Sequence, residues 1–157
     1  VESVCTMLQR KAARAGVELV DNCPRSLPAI RGDIVRLRQI LINLVDNAIK
    51  FTDTDGRVTI GVDFPLPGRV ARWVRDTGVG IAAGDLDRVV EPFVFLQTSV
   101  TRNVGGTGLG LSLVRSLTEL HGGELHIASQ PGEGTTVTVL LPVDEAPARG
   151  LTLVRSA

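Results

Sequence analysis

The sequence predicts an α+β fold, a two-layer α/β sandwich, on the strength of three observations. Two segments, residues 34–51 and about 108–121, repeat apolar residues at helical spacing, and several others alternate apolar and polar residues as strands do. Short turns join the alternating segments in pairs, which is typical of antiparallel hairpins. The order of elements lacks the repeated strand–helix–strand unit of a parallel doubly wound sheet, so we expect a mixed, mostly antiparallel sheet packed on helices.

The N-terminal half begins with a helix over residues 1–15, which ends before Gly16, a residue that favours a helix C-cap. Residues 17–20 are predicted to form a short strand. Asp33 is placed to cap a second, longer helix that runs to about Phe51. The apolar face of that helix is expected to consist of Ile34, Leu37, Leu41, Leu44, Val45 and Ala48.

The remainder of the chain contains four more predicted strands and two more helices. The strands are expected at 57–64, 69–74, 124–129 and 134–143, and the helices at 85–90 and about 108–121. A turn is expected at 53–56, where the sequence reads DTDG. The pattern is lost after Pro142, so we expect one domain over residues 1–143 and a C-terminal tail or linker over residues 144–157.

Composition excludes several function classes. The 17 basic residues balance the 17 acidic ones, which leaves no general field to attract nucleic acid or an anionic membrane. Two cysteines and two histidines, without a Cys-x-x-Cys pair, cannot build a zinc site of the usual spacing. No apolar run reaches the ~20 residues of a membrane span, and the N-terminus has no signal-peptide pattern. We therefore expect a cytoplasmic domain without nucleic-acid or direct membrane contact, and the missing initial methionine predicts that it belongs to a longer protein.

The first candidate site is a polar stripe on the long helix, formed by Asn43, Asn47 and Lys50. Their spacing places the three side chains within about 60° of one another, opposite the apolar face. Asparagine is a poor residue for a helix interior, and Lys50 is one of only two lysines against fifteen arginines. An asparagine carbonyl can bind Mg²⁺, and an ammonium group can bind phosphate. On the stripe alone, a solvated helix face remains an equal alternative.

The second candidate is the turn DTGVGI at residues 76–81, directly after a predicted strand. Aspartate and glycine are common turn residues, so Asp76, Gly78 and Gly80 could form an ordinary turn. They could instead form the base of a pocket, where the carboxylate accepts a hydrogen bond from the exocyclic amine of a nucleobase. The glycines would then let the base lie close to the backbone. The turn alone favours the first interpretation.

The third candidate is GGTGLGLSL at residues 105–113. A Walker phosphate loop is excluded because no lysine follows residue 50, and the spacing of Gly106, Gly108 and Gly110 does not fit a dinucleotide fingerprint. A helix that begins near Gly108 would present free N–H groups to an anion, and Thr107 would add a hydroxyl donor. Packing against its own domain explains one glycine but not four in six residues.

Together the three segments resemble, in order and spacing, the catalytic ATP-binding domain of bacterial two-component sensor histidine kinases, within the GHKL superfamily. The family's N box is matched by NLVDNAIKFT, its G1 box by DTGVGI, its F box by EPF and its G2 box by GGTGLGLSL. The resemblance extends over about residues 1–143, with further matches in GDIVRLRQIL, LHGG and SQPGEGTTVTVLLP. It implies the Bergerat fold, a mobile ATP lid at about residues 92–107, and ATP with Mg²⁺ as ligands.

The resemblance also implies roles for individual residues. Asn47 would bind Mg²⁺, Asn43 would lie beside it near the phosphates, and Lys50 would contact a phosphate. Asp76 would accept a hydrogen bond from the adenine amino group. The other implied nucleotide contacts come from Phe51, Gly78, Gly80, Ile81, Gly106, Thr107, Gly108, Leu109, Gly110 and, at the adenine end, Thr135 or Thr136.

Residue 43 bears on the type of reaction. Hydrolytic relatives carry a glutamate general base at this position, and an asparagine cannot take a proton from water. The resemblance therefore implies a protein-histidine kinase, in which Asn43, Asn47 and Lys50 act on ATP during phosphoryl transfer.

The phosphoacceptor motif of a complete kinase is absent, since His121 lies in LHGG and His126 on a predicted strand. The implied partner is the dimerisation and histidine-phosphotransfer domain of the same kinase, with a response regulator as an indirect partner. The alternative is a catalytically inactive or allosteric GHKL module that acts through protein–protein contacts.

Overall fold

The computed structural model describes residues 2–24, 30, 32–94 and 108–143, which form a five-stranded sheet with three helices on one face. The helices are α1 (Glu2–Ala15), α2 (Ile34–Lys50) and α3 (Gly110–Leu120). The strands are β1 (Glu18–Asn22), β2 (Arg57–Asp63), β3 (Arg69–Asp76), β4 (Glu124–Gln130) and β5 (Gly134–Pro142). None of the helices in these residues is long and apolar enough to cross a membrane.

The strand order in the sheet is β1-β2-β3-β5-β4. The β1–β2 pair is parallel and the other three pairs are antiparallel, which confirms the prediction of a mixed, mostly antiparallel sheet. β3 pairs with β5, although α3 and β4 lie between them in the chain. This pairing brings the end of β3 beside the start of β5, with Arg75 opposite Thr136.

The core lies between the sheet and the helices. Alternate residues of β2 and β3 are buried on this face, as expected for strands covered on one side, and α2 covers them with residues from Ile40 onward. Ile34 was predicted on the buried stripe, and that prediction is wrong because its side chain is 61% exposed. It is the first residue of α2, about one turn before Leu37, which packs against the core.

Two predicted helix ends are confirmed. The Asp33 carboxylate accepts hydrogen bonds from the N–H groups of Val35 at 2.8 Å and Arg36 at 3.3 Å, so it caps α2. Gly16 follows the last residue of α1 with a φ of +68°, the left-handed conformation that glycine adopts without strain.

Two predicted helices differ from those in the structure. The helix expected at 85–90 is a short 3₁₀ helix at Ala83–Asp85 followed by turns. The third helix begins at Gly110 rather than near Gly108, because the φ of Gly108 is +66° and a right-handed helix cannot include it.

Helices α2 and α3 pack antiparallel to each other. Near the start of α2, the Asp33 N–H donates to Nε2 of His121, which follows the end of α3, at 3.2 Å. At the opposite end, Gly110 at the start of α3 lies against Asn47 of α2. The packing therefore brings the N-terminus of α3 to the polar stripe.

Candidate nucleotide-binding site

Asp76 lies at the end of β3, with only 8% of its surface exposed. Its Oδ1 accepts hydrogen bonds from the N–H groups of Gly78 at 2.9 Å and Thr135 at 3.1 Å. Oδ2 has no hydrogen-bond donor among the residues that the structure describes, so it can accept one from a ligand. Burial raises the pKa of this carboxyl group above its usual value, and the two backbone hydrogen bonds offset part of that increase.

The turn that follows, residues 76–81, is held on two sides by backbone contacts. The Val79 N–H donates to the Phe51 carbonyl at the end of α2 at 3.1 Å, and the Val79 carbonyl accepts from Gly132 of the β4–β5 hairpin at 2.9 Å. A Cβ atom on Gly78 would lie 2.1 Å from the Phe51 carbonyl oxygen. One on Gly80, whose φ is +68°, would lie 1.9 Å from a backbone oxygen of the hairpin. Both glycines are therefore required by the backbone packing of the turn.

Ser129 of β4 completes this end of the site and was not predicted from the sequence. Its hydroxyl accepts from the Ile81 N–H at 2.8 Å, donates to the Gly134 carbonyl at 2.9 Å and lies 2.9 Å from the Thr135 hydroxyl. A signal for it was present in the sequence. Alternation along β4 places Ser129 on the face that also carries Leu125 and Ile127, so it is a polar residue on an apolar face.

The polar stripe forms the other end of the site. Asn47 lies against Gly110, where a Cβ atom would come within 2.9 Å of the Asn47 Nδ2. The Asn43 amide donates to the Gln39 carbonyl one turn earlier in α2 at 2.9 Å. The Lys50 Nζ lies 4.9 Å from the centre of the Phe51 ring, a distance typical of a cation–π contact.

The charge of Lys50 is influenced by its surroundings in three ways. Burial lowers the pKa of its ammonium group, nearby Asp46 raises it, and nearby Lys11 lowers it, with a net pKa below the usual value. A partly desolvated cation at the end of a helix is suited to bind an anionic ligand.

Phe51 joins the two ends of the site, since it follows the last residue of α2 and its carbonyl holds the 76–81 turn. Of the residues expected in the glycine segment, Gly106 and Thr107 lie outside the described residues. The Gly108 carbonyl accepts a hydrogen bond from the Phe93 N–H at 3.0 Å, so residues 93 and 108 are in direct contact. Leu109 is the N-cap residue of α3 and is 37% exposed.

Asn47, like Asn43, carries an amide oxygen of the kind that can bind a divalent cation. No group of three or more histidine, cysteine, aspartate or glutamate side chains in the described ranges could hold a metal ion. Mg²⁺ at nucleotide sites takes few ligands from protein and the others from phosphates and water. The Asn47 amide packs closely against Gly110, so the glycine fixes where the amide lies at the start of α3.

Residues 32–145 match the family model described as the histidine kinase-, DNA gyrase B- and HSP90-like ATPase. The chain belongs to this family. An uncharacterized sensor-like histidine kinase of Rhizobium meliloti is 50% identical over 139 residues, which cover 88% of this chain and 26% of that protein. The histidine protein kinase DivJ of Caulobacter vibrioides is 43% identical over 150 residues, or 94% of this chain and 24% of DivJ.

Solved structures give the same result. Full-length ShkA in complex with AMPPNP matches with a TM-score of 0.79 and 34% identity, covering 90% of this chain and 29% of that one. These matches confirm the predicted fold and the resemblance to the GHKL ATP-binding domains of two-component sensor histidine kinases. The chain spans about a quarter of the length of the curated relatives described above, which are multi-domain histidine kinases.

Proposed function

We propose that this domain binds Mg²⁺–ATP between the 76–81 turn and the polar stripe, and donates the γ-phosphate to a histidine on a separate dimerisation domain. The observation that carries the proposal is the arrangement at Asp76. Two backbone N–H groups fix Oδ1, and Oδ2 is left to accept a hydrogen bond from a ligand. A buried acceptor held in one orientation is suited to read the edge of a base.

At this end of the site, the Asp76 carboxylate accepts from the exocyclic amine of adenine. Guanine carries a carbonyl oxygen at the equivalent position, and two acceptors that face each other repel. Gly78 keeps the turn that holds Asp76 packed against the end of α2, because a side chain there would collide with the Phe51 carbonyl. The chemistry therefore favours ATP over GTP.

At the other end, the stripe and the N-terminus of α3 bind the phosphates. Lys50 contributes an ammonium group, Asn47 contributes its amide oxygen to the metal, and the first N–H groups of α3 point toward the anion. Gly108, Leu109 and Gly110 place those N–H groups beside Asn47. Bound Mg²⁺ supplies neutralisation of the phosphate charge.

The reaction proposed is phosphoryl transfer rather than hydrolysis. Asn43 cannot deprotonate a water molecule, and its amide already donates to the Gln39 carbonyl. A nitrogen of the acceptor imidazole bonds to the γ-phosphorus, and the bond to the β-phosphate oxygen breaks to release ADP. His121 is unsuited as acceptor because both its ring nitrogens are engaged, Nδ1 with the Leu117 carbonyl at 2.7 Å and Nε2 with Asp33. His126 lies on β4 and outside any phosphoacceptor motif, so we take the acceptor from another domain.

Calorimetric titration of the chain with Mg²⁺–ATP tests the binding step. We expect binding by the parent, weaker binding of Mg²⁺–GTP, and loss of affinity in Asp76→Asn and Asn47→Asp. Adenosine is the matched ligand control, since it depends on Asp76 and not on the phosphate end. A parent chain that binds no Mg²⁺–ATP would refute the proposal.

Transfer is tested with ATP labelled on the γ-phosphate and a separately supplied dimerisation domain. We expect label on that domain, and none when its acceptor histidine is replaced by alanine. If ATP binds but no label is transferred, the alternative of an inactive GHKL module that acts through protein–protein contacts replaces the kinase proposal.

A further inference from the structure

We propose that Lys11 of α1 is a positioning residue for phosphate binding, because it occupies the Asp46 carboxylate and thereby leaves Lys50 free to bind the phosphates. This inference rests on the proposed function. It adds a residue on a different helix, outside the polar stripe, that controls one of the charges in the site.

The two lysines of the chain, Lys11 and Lys50, both lie near the Asp46 carboxylate. The Lys11 Nζ donates to the Asp46 Oδ1 across the contact between α1 and α2. The side chains of the pair are partly exposed, Lys11 by 53% and Asp46 by 37%. Solvent can therefore reach the pair, and a substitution at either position leaves no large cavity.

Asp46 and Lys50 have the sequence spacing of an ion pair within one helix. They are four residues apart on α2 with the acid on the N-terminal side, which is the favourable orientation for such a pair. The structure nevertheless pairs Asp46 with Lys11, whereas the Lys50 ammonium group lies over the Phe51 ring. Two cations thus compete for one carboxylate, and Lys11 holds it.

Loss of Lys11 would act on a bound polyphosphate in two ways. The released Asp46 carboxylate can pair with Lys50 and draw its ammonium group away from the phosphates. An unneutralised carboxylate next to Asn47 also repels the phosphates directly. Both effects require Asp46, so removal of the Asp46 charge should cancel the effect of losing Lys11.

A double-mutant cycle on the full 157-residue chain tests this prediction. We expect Lys11→Ala to raise the Kd for Mg²⁺–ATP by about two- to fivefold, the range for a partly exposed ion pair. Asp46→Asn and the double variant Lys11→Ala/Asp46→Asn should bind at least as tightly as the parent. A double variant as weak as Lys11→Ala would overturn the inference, since Lys11 would then act without Asp46.

Three controls separate this effect from a general structural one. Lys11→Arg keeps the charge and should bind like the parent. Arg10→Ala removes a cation from the neighbouring, exposed position of α1 and should also leave the Kd unchanged. Adenosine, which has no phosphate, should bind Lys11→Ala and the parent equally. An equal loss of adenosine affinity would assign Lys11 a structural role and overturn the inference.

The inference and the proposed function fail in different ways. Absence of Mg²⁺–ATP binding by the parent overturns both. Equal affinities of the parent and Lys11→Ala for Mg²⁺–ATP overturn only the role of Lys11 and leave the proposed function intact.

Discussion

The two ends of the candidate site are formed by different kinds of groups, backbone at one end and side chains at the other. Around Asp76, backbone hydrogen bonds connect the 76–81 turn to the end of α2 and to the β4–β5 hairpin. Gly78 and Gly80 occupy positions of the turn where a side chain would collide with backbone. At the polar stripe, side chains on helix surfaces carry the chemistry, and their charges influence one another. In the function proposed above, the rigid end around Asp76 selects the ligand and the adjustable end at the polar stripe sets how tightly its phosphates bind.

The largest expected effect comes from a side chain added to the rigid end. In Gly80→Ala the new Cβ would meet the Gln130 carbonyl oxygen at 1.9 Å, with φ at +68°. Because the clash is with backbone and the φ is unfavourable for alanine, we expect a loss of about 2–4 kcal/mol in the free energy of unfolding. Urea denaturation measures it.

Gly84→Ala is the matched control for Gly80→Ala, since a Cβ there meets nothing within 4 Å. Its free energy of unfolding should change by no more than about 0.5 kcal/mol. If Gly80→Ala is equally tolerated, this end of the site is not rigid and the comparison is wrong.

Asp76→Asn should separate binding from stability at the same end. The asparagine Oδ1 can still accept from Gly78 and Thr135, but an amide presents a less suitable group to the adenine amine than a carboxylate. We expect a loss of ATP affinity of about 10- to 100-fold, the range for a hydrogen bond to a charged group. Calorimetry measures the affinity.

The stability of the same variant should change in the opposite direction. Since burial raises the pKa of Asp76 in the folded state, the contribution of this carboxyl group to stability is full below its unfolded pKa and is lost as pH rises through the folded pKa. Ionised Asp76 therefore destabilises the fold at neutral pH, and Asp76→Asn should unfold at the same or a higher temperature than the parent at pH 7. A lower melting temperature would contradict this account.

Features of the fold that depend on neighbours in sequence could be predicted. The Asp33 cap and the end of α1 at Gly16 follow from short-range backbone chemistry, and the polar stripe follows from helix geometry. The exposure of Ile34 could not be predicted, because it depends on where α2 first meets the core. The role of Ser129 depends on contacts with Ile81 and Gly134, which only the folded hairpin brings together.

Gly110→Ala tests the contact between the two helices at the adjustable end. The added Cβ would lie 2.9 Å from the Asn47 Nδ2, and a side-chain amide can move where a backbone carbonyl cannot. We therefore expect little change in stability and a rise of about three- to tenfold in the Kd for Mg²⁺–ATP. The exposed substitution Ser116→Ala on α3 serves as the control. If Gly110→Ala binds Mg²⁺–ATP like the parent, Asn47 does not need its present orientation.

The smallest expected effect is a pH dependence of ATP affinity. Its decline at low pH and its decline at high pH have different causes. As pH falls, protonation of Asp76 removes the acceptor for adenine, and its raised pKa moves this loss to a higher pH than for an ordinary aspartate. As pH rises, Lys50 loses its proton, and its lowered pKa moves that loss to a lower pH than for an ordinary lysine. The decline on the alkaline side should be only about two- to threefold, because Lys50 is one of several groups at the phosphates. Lys50→Arg keeps its charge at alkaline pH, so it should remove only the decline of ATP affinity at high pH. Asp76→Asn should remove only the decline at low pH. A single variant that removes the decline of ATP affinity at both low and high pH would mean that the two ends of the site do not act independently.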